Sequence, residues 1–147
     1  MKTRLLLIFT LLITLAGCTH NNGDIGSWFG TWHIESITNP DGNDAAYNGS
    51  AFMQFQSTVV CLRAVDGLHN ERADYGRWEE VDNTLTITLP DPNVAYDRVL
   101  QTLPGGPEFS AEQTAFHFTI TARTTTTRSL QIPDAAGKQW TLFLKKQ

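Results

Sequence analysis

Phe116, Phe118, Ile120 and Ala122 alternate with His117, Thr119, Thr121 and Arg123, the period of a strand with one apolar and one wet face. Leu85, Ile87 and Leu89 alternate in the same way with Thr84, Thr86 and Thr88. Trp140, Leu142 and Leu144 do so with Thr141 and Lys145, although Phe143 adds an apolar group to the second face. Strands rich in β-branched and aromatic residues are predicted over Thr31 to Ile37, Ala51 to Gln56, Thr58 to Val65, Arg72 to Glu79, Thr84 to Leu89, Ala115 to Arg123, Arg128 to Ile132 and Lys138 to Lys145. Asn39-Pro40-Asp41-Gly42, Asp66-Gly67, Asp82-Asn83, Pro133-Asp134 and Gly137 supply the turns between most of them. The pattern predicts an all-β domain, an antiparallel up-and-down meander of roughly eight strands. Closure into a barrel would remove its unpaired edges.

One stretch departs from the alternation. Tyr96, Val99, Leu100 and Leu103 fall at i, i+3, i+4 and i+7, the spacing of one helical face. A short helix is predicted near 92–103, with Asp91 as its cap, Pro92 in its first turn and Pro104-Gly105-Gly106-Pro107 as its stop. A ninth strand or an irregular crossover is the alternative. A helix here would plug one mouth of the barrel.

The N-terminus is organised differently. Lys2 and Arg4 precede an apolar run from Leu5 to Leu15, too short to span a hydrocarbon core of about 30 Å as a helix and matching a cleavable export signal. Leu15-Ala16-Gly17-Cys18 resembles the bacterial lipobox, in which a cysteine after small residues is acylated on sulfur and becomes the first residue of the mature chain. The resemblance implies a signal peptide over 1–17, a lipid-bearing Cys18 opening a polar tether over 18–25, and a folded domain over 26–147.

Cleavage there would remove 17 of the 147 residues and two of the 11 basic ones, leaving 130 residues and nine cations against 15 carboxylates. That length suits one domain with one core. The acidic balance argues against nucleic acid and anionic membrane surfaces as partners, so membrane attachment is expected through acyl chains alone. With Cys18 carrying lipid, Cys61 has no disulfide partner. Its place in Val59-Val60-Cys61-Leu62 predicts a small buried hydrophobe, not a reactive thiol.

Trp28-Phe29-Gly30-Thr31-Trp32 opens the first strand, and its Gly30-x-Trp32 resembles the first signature of the lipocalin and calycin superfamily of ligand-binding barrels. The glycine allows the strand to bend as it enters the barrel, and the indole fills the closed end. The resemblance implies a lipocalin-like barrel and a cation stacked on Trp32, for which Lys145, Lys146 and Arg128 are all candidates. Asp74-Tyr75 is similar to the second signature, but it follows Trp32 too soon to carry that role. The chain resembles small lipocalin-like lipoproteins of the Bacteroides type.

Little in the chain points to catalysis. His33 and His117 are out of phase with their apolar neighbours and are expected to face solvent, and no pair of histidines has metal-ligand spacing. Glu79 and Glu80 must face opposite ways on a strand, which excludes them as paired carboxylates of one site. Asn48-Gly49-Ser50 reads as a turn. No enzyme activity, metal or cofactor is expected.

Phe52, Tyr75, Trp78, Phe116, Phe118 and Trp140 are the candidate lining of a cavity for a small apolar ligand. The competing expectation is an interior filled by the barrel's own side chains. The function expected is that of a non-enzymatic cell-envelope lipoprotein, placed at the outer membrane facing the periplasm. A protein-binding module that inhibits a protease or lysozyme is the alternative, with Pro104 to Pro107 as the loop to insert into a target.

Overall fold

The computed structural model describes residues 26–90 and 98–147. The signal segment, Cys18, the tether and the first residues of the expected helix, Asp91, Pro92 and Tyr96 among them, therefore lie outside the described residues. Eight strands run in order: β1 (Gly30–Thr38), β2 (Ala51–Gln56), β3 (Val59–Val65), β4 (Glu71–Val81), β5 (Thr84–Thr88), β6 (Ala115–Arg123), β7 (Thr127–Pro133) and β8 (Gln139–Lys146). Every strand pairs antiparallel with the next, and β8 returns to β1 to close the barrel. The strands coincide with those expected from alternation to within two residues at each end.

Tight hairpins follow from local chemistry. Asp82 and Asn83 both adopt positive φ, 47° and 64°, as the two central residues of a two-residue β-hairpin turn require. Asp66 anchors the β3–β4 turn by accepting from the backbone N–H groups of Leu68 and Asn70.

A bulge repairs a fault in the β1 pattern. Trp32 and Ile34 point inward in simple alternation, which would next bring Ser36 into the core. Between Ile34 and Ser36 the register against β8 shifts by one residue, and Ile37 is buried in its place. The inserted residue rotates the end of the strand by one side-chain phase.

The core runs from Trp28, Trp32 and Phe55 at one end, through Met53, Leu85, Ile87, Phe118, Leu130 and Leu144, to Ile37, Leu89, Phe116, Ile132 and Leu142 at the other. The first end is closed by the 3-10 turn Gly26–Trp28. The opposite mouth is covered by the crossover between β5 and β6. Of the helix expected near 92–103, the described part is a single 3-10 turn, Leu100–Thr102. Pro104 limits it: the residue before a proline is pushed out of the helical region, and Leu103 is extended at φ −64°, ψ 118°. The described part of the predicted apolar face, Val99, Leu100 and Leu103, is buried in the core.

Candidate functional site

The closed end is built on Gly30. Its φ of +111° is strained for any side chain, and a Cβ there would meet Lys146 Cε at 3.3 Å. The bend it permits brings Trp32 to zero exposure, with its Nε1 donating to the Trp28 carbonyl at 2.8 Å. Trp28 packs on Phe55 at a centroid distance of 4.8 Å and on Trp32 at 5.5 Å. The cation left open by the sequence is Arg128, whose guanidinium carbon stands 4.6 Å from the Trp32 centroid and 5.3 Å from that of Trp28. Lys146 reaches Trp32 from a second side at 5.6 Å. Lys145 faces outward instead and pairs with Glu35 at 3.4 Å.

Arg128 is 1% exposed, and a guanidinium is tolerated there because it donates to the carbonyls of Thr124 and Thr127 and lies over two indole faces. Glu79 and Glu80 do face opposite ways, and Glu80 is the one that faces inward. It accepts from Trp28 Nε1 at 2.5 Å and from Arg123 Nη2 at 2.7 Å. Burial raises its pKa, but the Trp28 and Arg123 hydrogen bonds outweigh that, and the carboxyl sits below its ordinary value. Its phase with Trp78, two residues away on β4, was the available sign of this role.

The mouth is closed by other means. Val99, Leu100 and Leu103 descend into the barrel, and Phe109 meets the edge of Phe116 at 5.1 Å. Two polar contacts pin this plug. Asp74, inward on β4, accepts from the Val99 backbone N–H at 2.6 Å, and Arg98 donates to the carbonyls of Gln113 at 2.9 Å and Pro90 at 2.7 Å. Beyond it, a Cβ on Gly105 would stand 3.1 Å from the Ala46 backbone, so Pro104 to Pro107 lies against the 39–50 loop and does not project as an inserting loop. At the rim Tyr47 accepts from the Ala51 N–H, and burial pushes its phenol up to about 12.

The six expected lining residues divide. Phe116 and Phe118 point inward at zero exposure, and Trp78 and Trp140 point inward at the two ends, half-buried. Phe52 and Tyr75 do not line the interior. On β2 the inward positions are Ala51, Met53 and Phe55, so Phe52 lies outside, stacked on His33 at 4.8 Å. On β4 they are Asp74, Gly76, Trp78 and Glu80, which leaves Tyr75 outside at 64% exposure.

Met53, Phe55, Leu85, Ile87, Phe116 and Phe118 each have 0% exposure; no water-sized space touches them, and the middle of the barrel is packed by its own side chains. A gap of about 60 Å³ lies beside the plug, between Ala64, Thr102 and Leu103, room for water but not for a ligand.

Elsewhere the chemistry is quiet. His33 bonds the Gly49 carbonyl at 2.8 Å, and His117 bonds Thr86 at 3.1 Å on the outer face. Burial pushes the Cys61 thiol up, which keeps it protonated and unreactive. Among the described residues no group of three His, Cys, Asp or Glu side chains could hold a metal.

A closed eight-stranded meander, sealed by a Gly-x-Trp end with an arginine over the indole, defines a calycin-type barrel, a ligand-binding fold. A lipocalin-like domain family matches residues 12–142, and the chain belongs to it. A lipocalin-like protein from Bacteroides uniformis is similar in structure, with a TM-score of 0.61 and 18% identity over 83% of this chain and 100% of that one. A protein from Bacteroides eggerthii gives 0.59 and 19% over 80% and 98%. A redesigned β-barrel gives 0.50 and 16% over 88% and 99%. A search of curated proteins finds no match.

Proposed function

We propose that this chain is a non-enzymatic lipoprotein of the bacterial cell envelope, anchored through Cys18, whose barrel takes up a small apolar ligand at its plugged mouth. The observation that carries this reading is the composition of the plug. The layer above Phe116 and Leu89 is supplied by Val99, Leu100, Leu103 and Phe109 from the crossover, not by strand residues. A ligand can take that volume by displacing a segment, without disturbing the ladder. The lining it would meet is apolar, with Tyr47, Asp74 and Trp140 as the few polar handles.

The tether suits this arrangement. The described chain begins at Gly26, at the closed end. Eight residues from Cys18 would reach at most about 28 Å when extended, turning the closed end toward the bilayer and the mouth away from it. Thr19 follows Cys18, and an outer-membrane, periplasm-facing position is the placement we favour.

Native mass spectrometry of protein purified gently from its own envelope tests both parts. An acyl mass on Cys18 and a co-purifying apolar molecule released by organic extraction are the expected results. An unmodified Cys18 would remove the anchor. A clean apo mass that persists after incubation with envelope lipids would remove the ligand. The second result would favour a protein partner, for which the filled mid-barrel and Leu68, 82% exposed at the β3–β4 hairpin tip, are the supporting observations.

A further inference from the structure

The outer face of the barrel carries a feature that the interior does not use. Gln54, Cys61 and Tyr75 are directly opposed across β2, β3 and β4, and Gln56, Val59 and Arg77 form the next row. A short side chain stands in the middle of the first row, between two long ones. The result is a depression of about 300 Å³ lined by Gln54, Gln56, Val59, Cys61, Arg63, Glu71 and Tyr75, the lower end of the range for small-molecule sites.

Its walls have unspent recognition chemistry. Tyr75 stands directly across from Cys61 on the neighbouring strand, and its ring is 64% exposed beside that short side chain. The side-chain amides of Gln54 and Gln56 have no hydrogen-bond partner among the described residues. Arg63 and Glu71 form a two-point fork, with Nη2 donating to Oε2 at 3.0 Å and Nε standing 3.0 Å from Oε1. The angle of the second contact leaves Nε without a true hydrogen bond. The fork cancels its own charge, and the other residues that line the groove are uncharged, with Arg77 in the row beyond it.

An exposed aromatic face, two free amides and a neutral guanidinium–carboxylate fork together suit a ligand that is uncharged, dense in hydroxyl donors and acceptors, and apolar on one ring face. We infer that this outer groove is a binding site for a neutral saccharide, with one sugar ring seated on Tyr75 and its hydroxyls on Gln54, Gln56 and the Arg63–Glu71 fork. The site is separate from the plugged mouth and does not depend on the anchor.

The test is a heteronuclear NMR titration of residues 26–147, with the full mature chain in parallel, against maltohexaose, cellohexaose and chitohexaose. At least one should give saturable shifts centred on the backbone amides of residues 54, 56, 61, 63 and 75. Tyr75→Ala should weaken that binding about fivefold to tenfold, the worth of one aromatic stacking contact. Tyr75→Phe, which keeps the ring, should stay within about twofold of the parent. Thr119→Ala, on the outer face of β6 away from these strands, should change nothing. The assignment is overturned if none of the three probes gives saturable shifts, if the shifts map elsewhere, or if Tyr75→Ala binds as well as the parent while its spectrum remains folded.

Discussion

The two ends of this barrel are closed by opposite strategies. At one end Trp28, Trp32, Arg128 and Glu80 lock strand termini together through tilted ring contacts, a buried cation and hydrogen bonds. At the other, a crossover lays four apolar side chains over the core and is pinned by Asp74 and Arg98. Removing the first seal would open the ladder itself. Removing the second leaves all eight strands paired. A barrel that has to admit a ligand needs one end of each kind, and the difference assigns stability to the indole end and access to the plug.

Mutations can break that contrast from the stable side first. Trp32→Ala should cost about 3–5 kcal/mol, the range for emptying a fully buried aromatic site, read as a fall in the urea midpoint. Arg128→Met keeps apolar volume over the indoles but leaves the Thr124 carbonyl unpaired, while that of Thr127 keeps the Thr124 N–H; a loss of about 1–3 kcal/mol is expected. Both should lower global stability without selectively loosening the mouth.

The plug should respond differently. Asp74→Ala removes one acceptor and should cost about 1–2 kcal/mol. Its signature is local: amide exchange at residues 99–106 should accelerate while the amides of β1 and β8 stay protected.

The closed end also has a pH dependence. The Glu80 carboxyl sits below its ordinary 4.5 in the folded protein, so its stabilising contribution is complete above that value and disappears as pH falls through the lower folded pKa. Glu80→Gln should flatten the acid limb of a stability–pH curve below about pH 4.5. The smallest effect is expected from Lys145→Ala, an exposed partner of Glu35, at less than about 0.5 kcal/mol in thermal melts.

Much of the ladder was legible because strands such as β6 separate their faces without ambiguity. Gly30 and Trp32 were legible as a pair because the bend needs a glycine and the closed end needs a large ring. Phe52 was misplaced because β2 carries apolar residues at three successive positions, Ala51, Phe52 and Met53, and only pairing shows which phase faces in. Tyr75 was misplaced because the inward face of β4 is itself polar at Asp74 and Glu80, so alternation carries no sign there. The choice among Lys145, Lys146 and Arg128 waited on register across three strands. Trp28 lies before the first strand, where no periodicity can assign it a direction.

Ligand uptake at the mouth requires the plug to open while the indole end stays closed. The most direct test titrates the native protein and Asp74→Ala with the apolar dye 1-anilinonaphthalene-8-sulfonate while recording the indole N–H magnetic resonance signal of Trp28 and Trp32 at the closed end. Saturable one-to-one binding that is tighter in Asp74→Ala is expected, with the Trp28 and Trp32 signal unchanged. Binding that appears only as that signal collapses, or no saturable binding in either protein, would contradict uptake at the mouth.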